Sequence, residues 1–182
     1  MKGTPEDLAH RYGSPKQVLC RLPSIAFPPI SERRHGEVCM AILRPNGRFL
    51  FQTKRSYPNS VMRLPSGGIK SGEDLEHALL REVWEETNLT VNIDRFVAVL
   101  RYADDNAKSV FQTYLFFLRE MEGKLQVNDP NEQISEWREV APAELPEYAK
   151  KLETMAPSWE SWGHFRAAAV DTLAEYCRTA VL

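Results

Sequence analysis

The sequence lacks the features that mark secreted, disulfide-bonded or membrane proteins. It has three cysteines, an odd number at well-separated positions, with no CxxC pair and no cysteine–histidine cluster. That usage argues against a disulfide framework and a zinc site, and it favours a reducing compartment. The chain also has no apolar run of signal-peptide length and none near the roughly 18 residues of a membrane span. We therefore predict a cytoplasmic protein without membrane-spanning segments.

A strong excess of one charge is missing as well. The formal net charge is −2, so non-specific attraction to a polyanion is weak and no stable nucleic-acid partner is expected. A phosphorylated substrate would need local positive charge or a bound cation. With 43% apolar and 26% charged residues among 182, the composition is ordinary for a globular protein that buries a core without disulfides.

The order of predicted elements is strands, one helix, more strands and then terminal helices. That order is typical of a mixed β-sheet with helices packed on it, which belongs to the α/β class. We divide the chain into an irregular, proline-rich N-terminal arm (1–35), a central domain (36–145) and a C-terminal helical extension (146–182) packed on that domain. Within the arm, residues 17–22 could pair as a strand.

The later part of the chain gives more detailed expectations. Residues 90–102 and 109–119 are predicted to form two long strands, joined by a turn at 104–106. Helices are predicted at 143–155 and 162–180, and the second has the apolar periodicity of an amphipathic helix.

The most informative element is the predicted helix at 71–87. Ser71 fits the N-cap of a capping box, with Asp74 three residues further on. Asn88 fits the left-handed residue that commonly ends a helix, because asparagine tolerates that conformation. The loop that leads into the helix, Pro65-Ser66-Gly67-Gly68, cannot itself be helical.

Three glutamates converge on this helix. Glu82, Glu85 and Glu86 are spaced i, i+3 and i+4, and at about 100° per residue Glu82 and Glu86 fall inside the apolar stripe. An acidic run is usually a solvated face, which would place the acids opposite that stripe. Converging carboxylates beside apolar side chains repel one another, so we expect a divalent cation with oxygen ligands, Mg²⁺ or Mn²⁺, to compensate them. Arg81 lies off the stripe and could neutralise one acid but not all three, so we expect it to orient the loop or Glu73 rather than to replace the metal.

The same helix has a second apolar face at Leu80 and Trp84. A helix that is apolar on two sides is covered on two sides. We expect either the C-terminal helices or a second subunit to provide the cover, and the second case would make the protein a homodimer.

The segment from 67 to 89 resembles the Nudix box. The pattern is matched at Gly67, at Glu73 and through the run Arg81-Glu82-Val83-Trp84-Glu85-Glu86-Thr87-Asn88-Leu89. The approach to it, Leu64-Pro65-Ser66-Gly67-Gly68, is also similar to that of the family, and Asn88 stands where the family usually has glycine. A weaker resemblance extends over residues 35–145.

This resemblance implies a Nudix-type α/β/α sandwich with a loop–helix–loop catalytic motif. It implies metal-dependent hydrolysis of a phosphoanhydride in a nucleoside diphosphate linked to another moiety, a small-molecule substrate. In the family pattern Glu85 and Glu86 would hold Mg²⁺, and Glu82 would be a further ligand or the general base. Glu73 and Arg81 would support that geometry, and the backbone carbonyl of Gly67 would add a ligand.

Residues outside the box complete the predicted site. Hydrolysis needs a group that takes a proton from water, and Glu132 is our downstream choice because it follows a proline-containing loop at the mouth of a strand. A solvated loop acid is an equally good interpretation of Glu132. Lys54 and Arg55 could supply positive charge to the substrate, and an exposed strand end is the equally good alternative for both.

Two other functions fit the resemblance less well. An isomerase on the same fold would need a catalytic cysteine in a cysteine–histidine context, which none of the three cysteines has. A nucleotide-sensing module without turnover would not need the intact set of acids. The sequence leaves the substrate open among nucleotide sugars, ADP-ribose, dinucleotides and nucleoside triphosphates.

Overall fold

The computed structural model describes residues 3–24, 36–58, 61–103 and 111–180. The helices in these ranges are α1 (Pro5–Tyr12), α2 (Leu75–Thr87), α3 (Leu145–Glu153) and α4 (Glu160–Thr179). The strands are β1 (Lys16–Arg21), β2 (Gly36–Leu43), β3 (Phe49–Lys54), β4 (Ser66–Gly68), β5 (Leu89–Ala103), β6 (Phe111–Gly123) and β7 (Ile134–Val140). Single turns of 3-10 helix lie at Pro130–Glu132, Pro142–Glu144 and Pro157–Trp159.

The strands form one mixed sheet, as the order of elements predicted. Their hydrogen-bonded order is β1-β5-β6-β2-β3-β7, and β4 pairs with β2. β1 runs parallel to β5 and β2 runs parallel to β6, whereas the remaining pairs are antiparallel. The short strand β4 therefore brings the loop before α2 against the central strand of the sheet.

Strand β2 shows how the sheet is covered on both faces. All of its residues are buried. Val38, Met40 and Ile42 belong to a core cluster with residues of α1 and α2, whereas Cys39 and Ala41 belong to a cluster with residues of α3 and α4. Because side chains alternate along a strand, these clusters lie on opposite faces of the sheet. The predicted α/β/α sandwich is confirmed.

The N-terminal arm is more regular than expected. Pro5 occupies the start of α1, where its missing N–H costs no hydrogen bond, and Leu8 on that helix is fully buried. The strand expected at 17–22 is present as β1, which forms an edge of the sheet. An irregular arm is thus wrong for residues 3–24, and residues 25–35 lie outside the described part of the chain. The division of the chain at 35 and 145 stays a prediction.

The later elements agree with expectation in kind and nearly in extent. β5 and β6 are the two long antiparallel strands, and the predicted turn at 104–106 lies outside the described residues. The two terminal helices form and pack on the sheet face opposite α2. Among the residues described, no helix combines the length and the apolar character needed to cross a bilayer.

The second apolar face of α2 is not covered by the C-terminal helices. Leu80 and Trp84 are 43% and 56% exposed, because α3 and α4 lie on the other side of the sheet. That half of the expectation is wrong. Cover by a second copy of the chain stays a prediction.

Candidate functional site

Helix α2 begins three residues later than its sequence suggested. Gly72 has a φ of +77°, so the chain is still turning where Ser71 was expected to cap a helix. Asp74 is the N-cap instead, and its side chain accepts a hydrogen bond from the His77 N–H at 2.8 Å. The predicted end is confirmed, because Asn88 is left-handed with a φ of 57° and its N–H donates to the Trp84 carbonyl.

The end of α2 anchors the loop that carries Glu132. The backbone N–H groups of Gln126 and Asn128 donate to the Thr87 and Glu85 carbonyls at 3.2 and 2.9 Å. These bonds satisfy helix carbonyls that have no partner within the helix. The loop is therefore held beside the last turn of α2, which carries Glu85 and Glu86.

Three carboxylates meet at this point. Glu82 and Glu86 on α2 and Glu132 on the loop each offer an oxygen, and these oxygens all lie within 4.8 Å of one another. Glu86 is fully buried and Glu82 is nearly so, whereas the Glu132 side chain is 21% exposed. The structure thus joins two residues of the predicted metal set with the downstream acid.

These carboxylates are incompletely paired. Within the described part of the chain, neither oxygen of Glu86 has a hydrogen-bond partner, and Glu82 Oε2 has none. Lys54 supplies positive charge from the end of β3, with its Nζ 3.3 Å from Glu86 Oε1 and paired with Glu132 Oε2. Burial raises the pKa of Glu86 to about 7 and also raises that of Glu82. Burial opposes ionisation of Glu132 too, but the hydrogen bond and charge of Lys54 outweigh it and lower the pKa of Glu132.

The donor set fits a hard divalent cation. Carboxylate oxygens are the ligands that Mg²⁺ and Mn²⁺ prefer, and buried carboxylates without partners need compensating charge. Glu82, Glu86 and Glu132 provide such oxygens within one small space. The unpartnered oxygens are the observation that makes these residues suitable for holding the ion.

Arg81 has more partners than its position on the helix suggested. It forms a two-pronged pair with Glu73 at 2.7 and 2.8 Å, and its Nη2 also donates to the Gly68 carbonyl at 2.9 Å. That arrangement holds the loop, as expected. Its Nη1 additionally pairs with Glu82 and Glu85 at 2.6 and 2.7 Å. Among the described contacts its ion pairs do not include Glu86, which agrees with the expectation that Arg81 cannot neutralise all three acids.

Glu85 and Glu73 therefore lie outside the three-acid cluster. Glu85 points to Arg81, and Lys70 Nζ is 3.8 Å from its other oxygen. The hydrogen bonds of Arg81 outweigh burial at Glu73 and lower the pKa of Glu73 to about 2. Both acids take part in a charge network that fixes the start of the helix against the loop.

Gly67 lies in direct contact with the cluster. A Cβ added at this position would lie 1.8 Å from the Glu82 carboxylate, so any side chain here would displace that carboxylate from its present position. The predicted contribution of its carbonyl to a metal is untested.

A groove of about 490 Å³ gives access to this cluster. It is lined by Lys54, Ser66, Gly67, Gly68, Ile69, Lys70, Arg81, Glu82, Glu85, Asp129, Asn131, Glu132 and Gln133. Lys54 therefore lies inside it. Arg55 does not line it. Its exposed side chain follows the end of β3 and lines a separate groove with Pro130 and Gln133, and its backbone N–H donates to the Gln133 carbonyl.

Comparison with known proteins places this arrangement in a family. The NUDIX domain profile matches residues 33–160, which is more than half of the chain and includes the loop, the helix and the acid cluster. The chain belongs to the Nudix family.

Two curated relatives match a shorter stretch around the Nudix box. The RNA pyrophosphohydrolase of Baumannia cicadellinicola subsp. Homalodisca coagulata is 39% identical over 57 residues, which cover 31% of this chain and 35% of that protein. The RNA pyrophosphohydrolase of Roseobacter denitrificans (strain ATCC 33942 / OCh 114) is 35% identical over 63 residues, covering 33% and 39%. The match spans less than two fifths of the length of either relative.

Solved structures share the Nudix fold over a longer span. An ADP-ribose pyrophosphatase from Streptococcus suis 89-1591 has a TM-score of 0.51 at 19% identity, and the match covers 79% of this chain and 91% of that one. A UDP-X diphosphatase has a TM-score of 0.52 at 17% identity, with coverage of 86% and 68%. At these identities the likeness establishes the fold alone.

Several groove residues of this Nudix protein were not predicted from the sequence. Asp129 and Asn131 line the groove, and the Asp129 side chain accepts from the Asn131 backbone N–H at 2.8 Å. Gln133 has a φ of 48°, which turns the chain sharply after Glu132. The turn-forming run Asn128-Asp129-Pro130-Asn131 was a signal for a loop, but nothing local in the sequence placed that loop beside α2.

Proposed function

We propose that this chain is a metal-dependent pyrophosphohydrolase that cleaves a phosphoanhydride in a nucleoside diphosphate linked to another moiety. The observation that carries the proposal is the three-acid cluster of Glu82, Glu86 and Glu132, in which buried oxygens of Glu82 and Glu86 receive no hydrogen bond from the described residues. The cation would be Mg²⁺, and Mn²⁺ would substitute for it because both prefer oxygen ligands. When bound, the cation neutralises phosphate oxygens and makes the attacking water more acidic.

Glu82 and Glu86 are the residues that would hold the cation. Both are buried, both project from one face of α2, and both have oxygens without a hydrogen bond from the described residues. Glu132 is the most exposed of the three acids and lines the groove. It is therefore our choice for the base that takes a proton from the attacking water, whose oxygen forms the new P–O bond as the bridging P–O bond breaks.

The remaining predicted residues hold this geometry. Arg81 ties Glu73 and the Gly68 carbonyl to the acidic face of the helix. Gly67 lets the strand lie against Glu82. Catalysis by positioned groups depends on such rigidity, because a misplacement of about 1 Å can cost about a hundredfold in rate.

The substrate class follows from shared chemistry. The similar proteins are named for RNA pyrophosphate, ADP-ribose and UDP-X, and in each the bond cleaved is a phosphoanhydride beside a nucleoside. Lys54 and Lys70 line the groove and would contact substrate phosphates there. Arg55 does not line the groove, so it would contact only a part of the substrate that extends beyond it. A cytoplasmic location and a homodimer through Leu80 and Trp84 remain predictions.

The test is a hydrolysis assay with ADP-ribose, UDP-sugars, dinucleoside polyphosphates, nucleoside triphosphates and RNA with a 5′-terminal phosphoanhydride. Each substrate is incubated with Mg²⁺, with Mn²⁺ and with EDTA. We expect cation-dependent release of a nucleoside monophosphate or of a phosphate product, lost in Glu86→Gln and retained in Glu147→Gln, an exposed control. A folded protein that binds Mn²⁺ but turns over no substrate would contradict the proposal and favour the nucleotide-sensing module.

Glu132→Gln separates the roles of the acids. A base that does not hold the cation predicts loss of turnover with nearly unchanged Mn²⁺ affinity. A drop in Mn²⁺ affinity as large as that of Glu86→Gln would assign Glu132 to the cation instead.

A further inference from the structure

A buried polar network lies behind strand β4, on the sheet face opposite the catalytic helix. Its centre is Glu37, which is 4% exposed and accepts hydrogen bonds at both carboxylate oxygens. Arg166 on α4 donates to Oε1 and Oε2 at 2.7 and 3.0 Å, and Thr113 donates to Oε1 at 2.9 Å. The Ser66 hydroxyl donates to Oε2 at 3.2 Å.

Ser66 is the point where this network meets β4. Besides its bond to Glu37, its hydroxyl accepts from Arg166 Nη1 at 2.9 Å and from Arg63 Nη1 at 3.1 Å. A hydroxyl has one donor and two acceptor sites, so all three hydrogen-bonding sites of the Ser66 hydroxyl are occupied. Arg63, completely buried, is itself fixed by the Leu64 carbonyl at 2.7 Å and by the Tyr57 hydroxyl at 3.0 Å.

The next two residues of β4 face the metal-binding acids. Gly67 lies against the Glu82 carboxylate, and the Gly68 carbonyl accepts from Arg81. β4 has only three residues, and its pairing to β2 covers Glu37 to Cys39. One further backbone hydrogen bond continues this pairing at each end, from the Met40 N–H to the Pro65 carbonyl and from the Ile69 N–H to the Gly36 carbonyl. The side-chain contacts of Ser66 add a connection to α4 that these backbone bonds do not provide.

We propose that Arg166 is a positioning residue that sets the distance between β4 and the acids of α2, and thereby the affinity of the site for a divalent cation. It acts through Glu37 and Ser66 and touches neither the cation nor the substrate. The inference rests on the proposed function for its metal site. It assigns to the C-terminal helix α4, far from the Nudix box in sequence, a part in the chemistry of the box.

Arginine suits this position better than other cations. Arg166 lies over the Phe165 ring, with its Cζ 4.5 Å from the ring centroid, and its Nη1 contacts both Glu37 oxygens and Ser66. A planar guanidinium can stack on a ring while it donates in its own plane, and an ammonium cannot. The contact is therefore directional, which is what positioning requires.

The test measures Mn²⁺ binding to the full chain by isothermal titration calorimetry, at a temperature where circular dichroism shows each variant folded. Ser66→Ala removes the link to β4 with the loss of one oxygen, and Arg166→Met removes the guanidinium. Residues that support metal ligands typically contribute about 10-fold to metal affinity, so we expect the Mn²⁺ Kd to rise about 10-fold in both variants. We also expect kcat to fall by a similar factor while KM for the substrate stays nearly constant.

Arg178→Met is the matched control, because Arg178 is exposed on the same helix. Its Mn²⁺ Kd should equal that of the unaltered chain. Ser66→Ala keeps the test decisive if Arg166→Met fails to fold, and a folded Ser66→Ala variant with unchanged Kd overturns the proposal. If the unaltered chain binds Mn²⁺ without hydrolysing any substrate, only the proposed hydrolysis fails and the Kd comparison still stands. If it binds no Mn²⁺, both proposals fail.

Discussion

Buried carboxylates are bonded differently on the two faces of strand β4. The back face is the side toward Glu37, and the front face is the side toward Glu86. Behind the strand, Glu37 has hydrogen bonds at both oxygens and arginine as a partner. In front of it, Glu86 is also buried, but neither of its oxygens receives a hydrogen bond from the described residues, and Lys54 is a charge partner that it shares with Glu132. A buried carboxylate without partners costs folding free energy, whereas a fully bonded one is much less costly. The contrast separates a carboxylate that is bonded within the fold from one that would hold the cation in the proposed function.

The largest expected change in stability comes from removing the paired carboxylate on the back face, Glu37. Glu37→Gln leaves Arg166, whose side chain is only 10% exposed, without its carboxylate, and it removes a nearby negative charge from the buried Arg63. Loss of one partner of a buried ion pair is strongly destabilising, so we expect the free energy of unfolding to fall by about 3 kcal/mol. Urea unfolding of the variant and the unaltered chain at pH 7 measures this loss of unfolding free energy. Glu136→Gln, at an exposed ion pair on β7, is the control and should change stability by less than about 1 kcal/mol.

The same substitution on the front face is expected to act in the other direction. Glu86→Gln replaces a buried carboxylate, whose one close cation is shared with Glu132, by a neutral amide of the same shape. In EDTA we expect unfolding free energy to rise by about 1 kcal/mol, because the desolvation cost of the charge disappears. Mn²⁺ should stabilise the unaltered chain and leave Glu86→Gln unaffected in thermal melts. Equal destabilisation by Glu37→Gln and Glu86→Gln in EDTA would remove the distinction between the two faces.

The front face was largely predictable from the sequence and the back face was not. Glu82 and Glu86 are neighbours on one helix, and a local pattern of i and i+4 records that fact. Arg166 and Glu37 are 129 residues apart, and no local pattern records such a pairing. Glu132 was an intermediate case, since its loop was evident and its place beside α2 was not.

The differences at element boundaries have similar physical causes. Ser71 and Asp74 both have the chemistry of an N-cap, and the positive φ of Gly72 decides between them. The prolines of the N-terminal segment suggested an irregular chain, yet Pro5 sits where a helix accepts proline. The contacts of that helix with distant parts of the chain could not be predicted from a local pattern. One example is the ion pair between Arg11 and Glu76 on α2, at 2.6 Å.

A paired carboxylate on the front face provides an internal check. Glu73 belongs to the same motif as Glu86 but is held by Arg81, and its pKa lies at about 2, below the ordinary 4.5. A lowered folded-state pKa means that the ionised form stabilises the fold above pH 4.5, and that this contribution is lost as the pH falls toward 2. We expect Glu73→Gln to lower unfolding free energy by on the order of 2 kcal/mol at pH 7, with the difference narrowing below pH 4.5. Urea unfolding of both proteins across pH 3 to 7 tests this, and a difference that does not vary with pH would contradict it.

The smallest expected effect concerns Asn88, where this chain departs from the usual glycine of the box. Its amide donates to the Lys124 carbonyl at 3.1 Å, and its Oδ1 accepts from Asn128 at 2.9 Å, so it fastens the loop that carries Glu132. Glycine would relieve the left-handed backbone but lose both bonds, and the two effects nearly cancel at about 1 kcal/mol each. Alanine would lose the bonds and keep the strain. We therefore expect Asn88→Gly to match the unaltered chain in melting temperature and Asn88→Ala to fall below it, with faster hydrogen exchange at the Gln126 and Asn128 amides in both.

Equal melting temperatures for the glycine and alanine variants would show that the left-handed strain is negligible. Unchanged exchange at those amides would show that the Asn88 side chain does not fasten the loop.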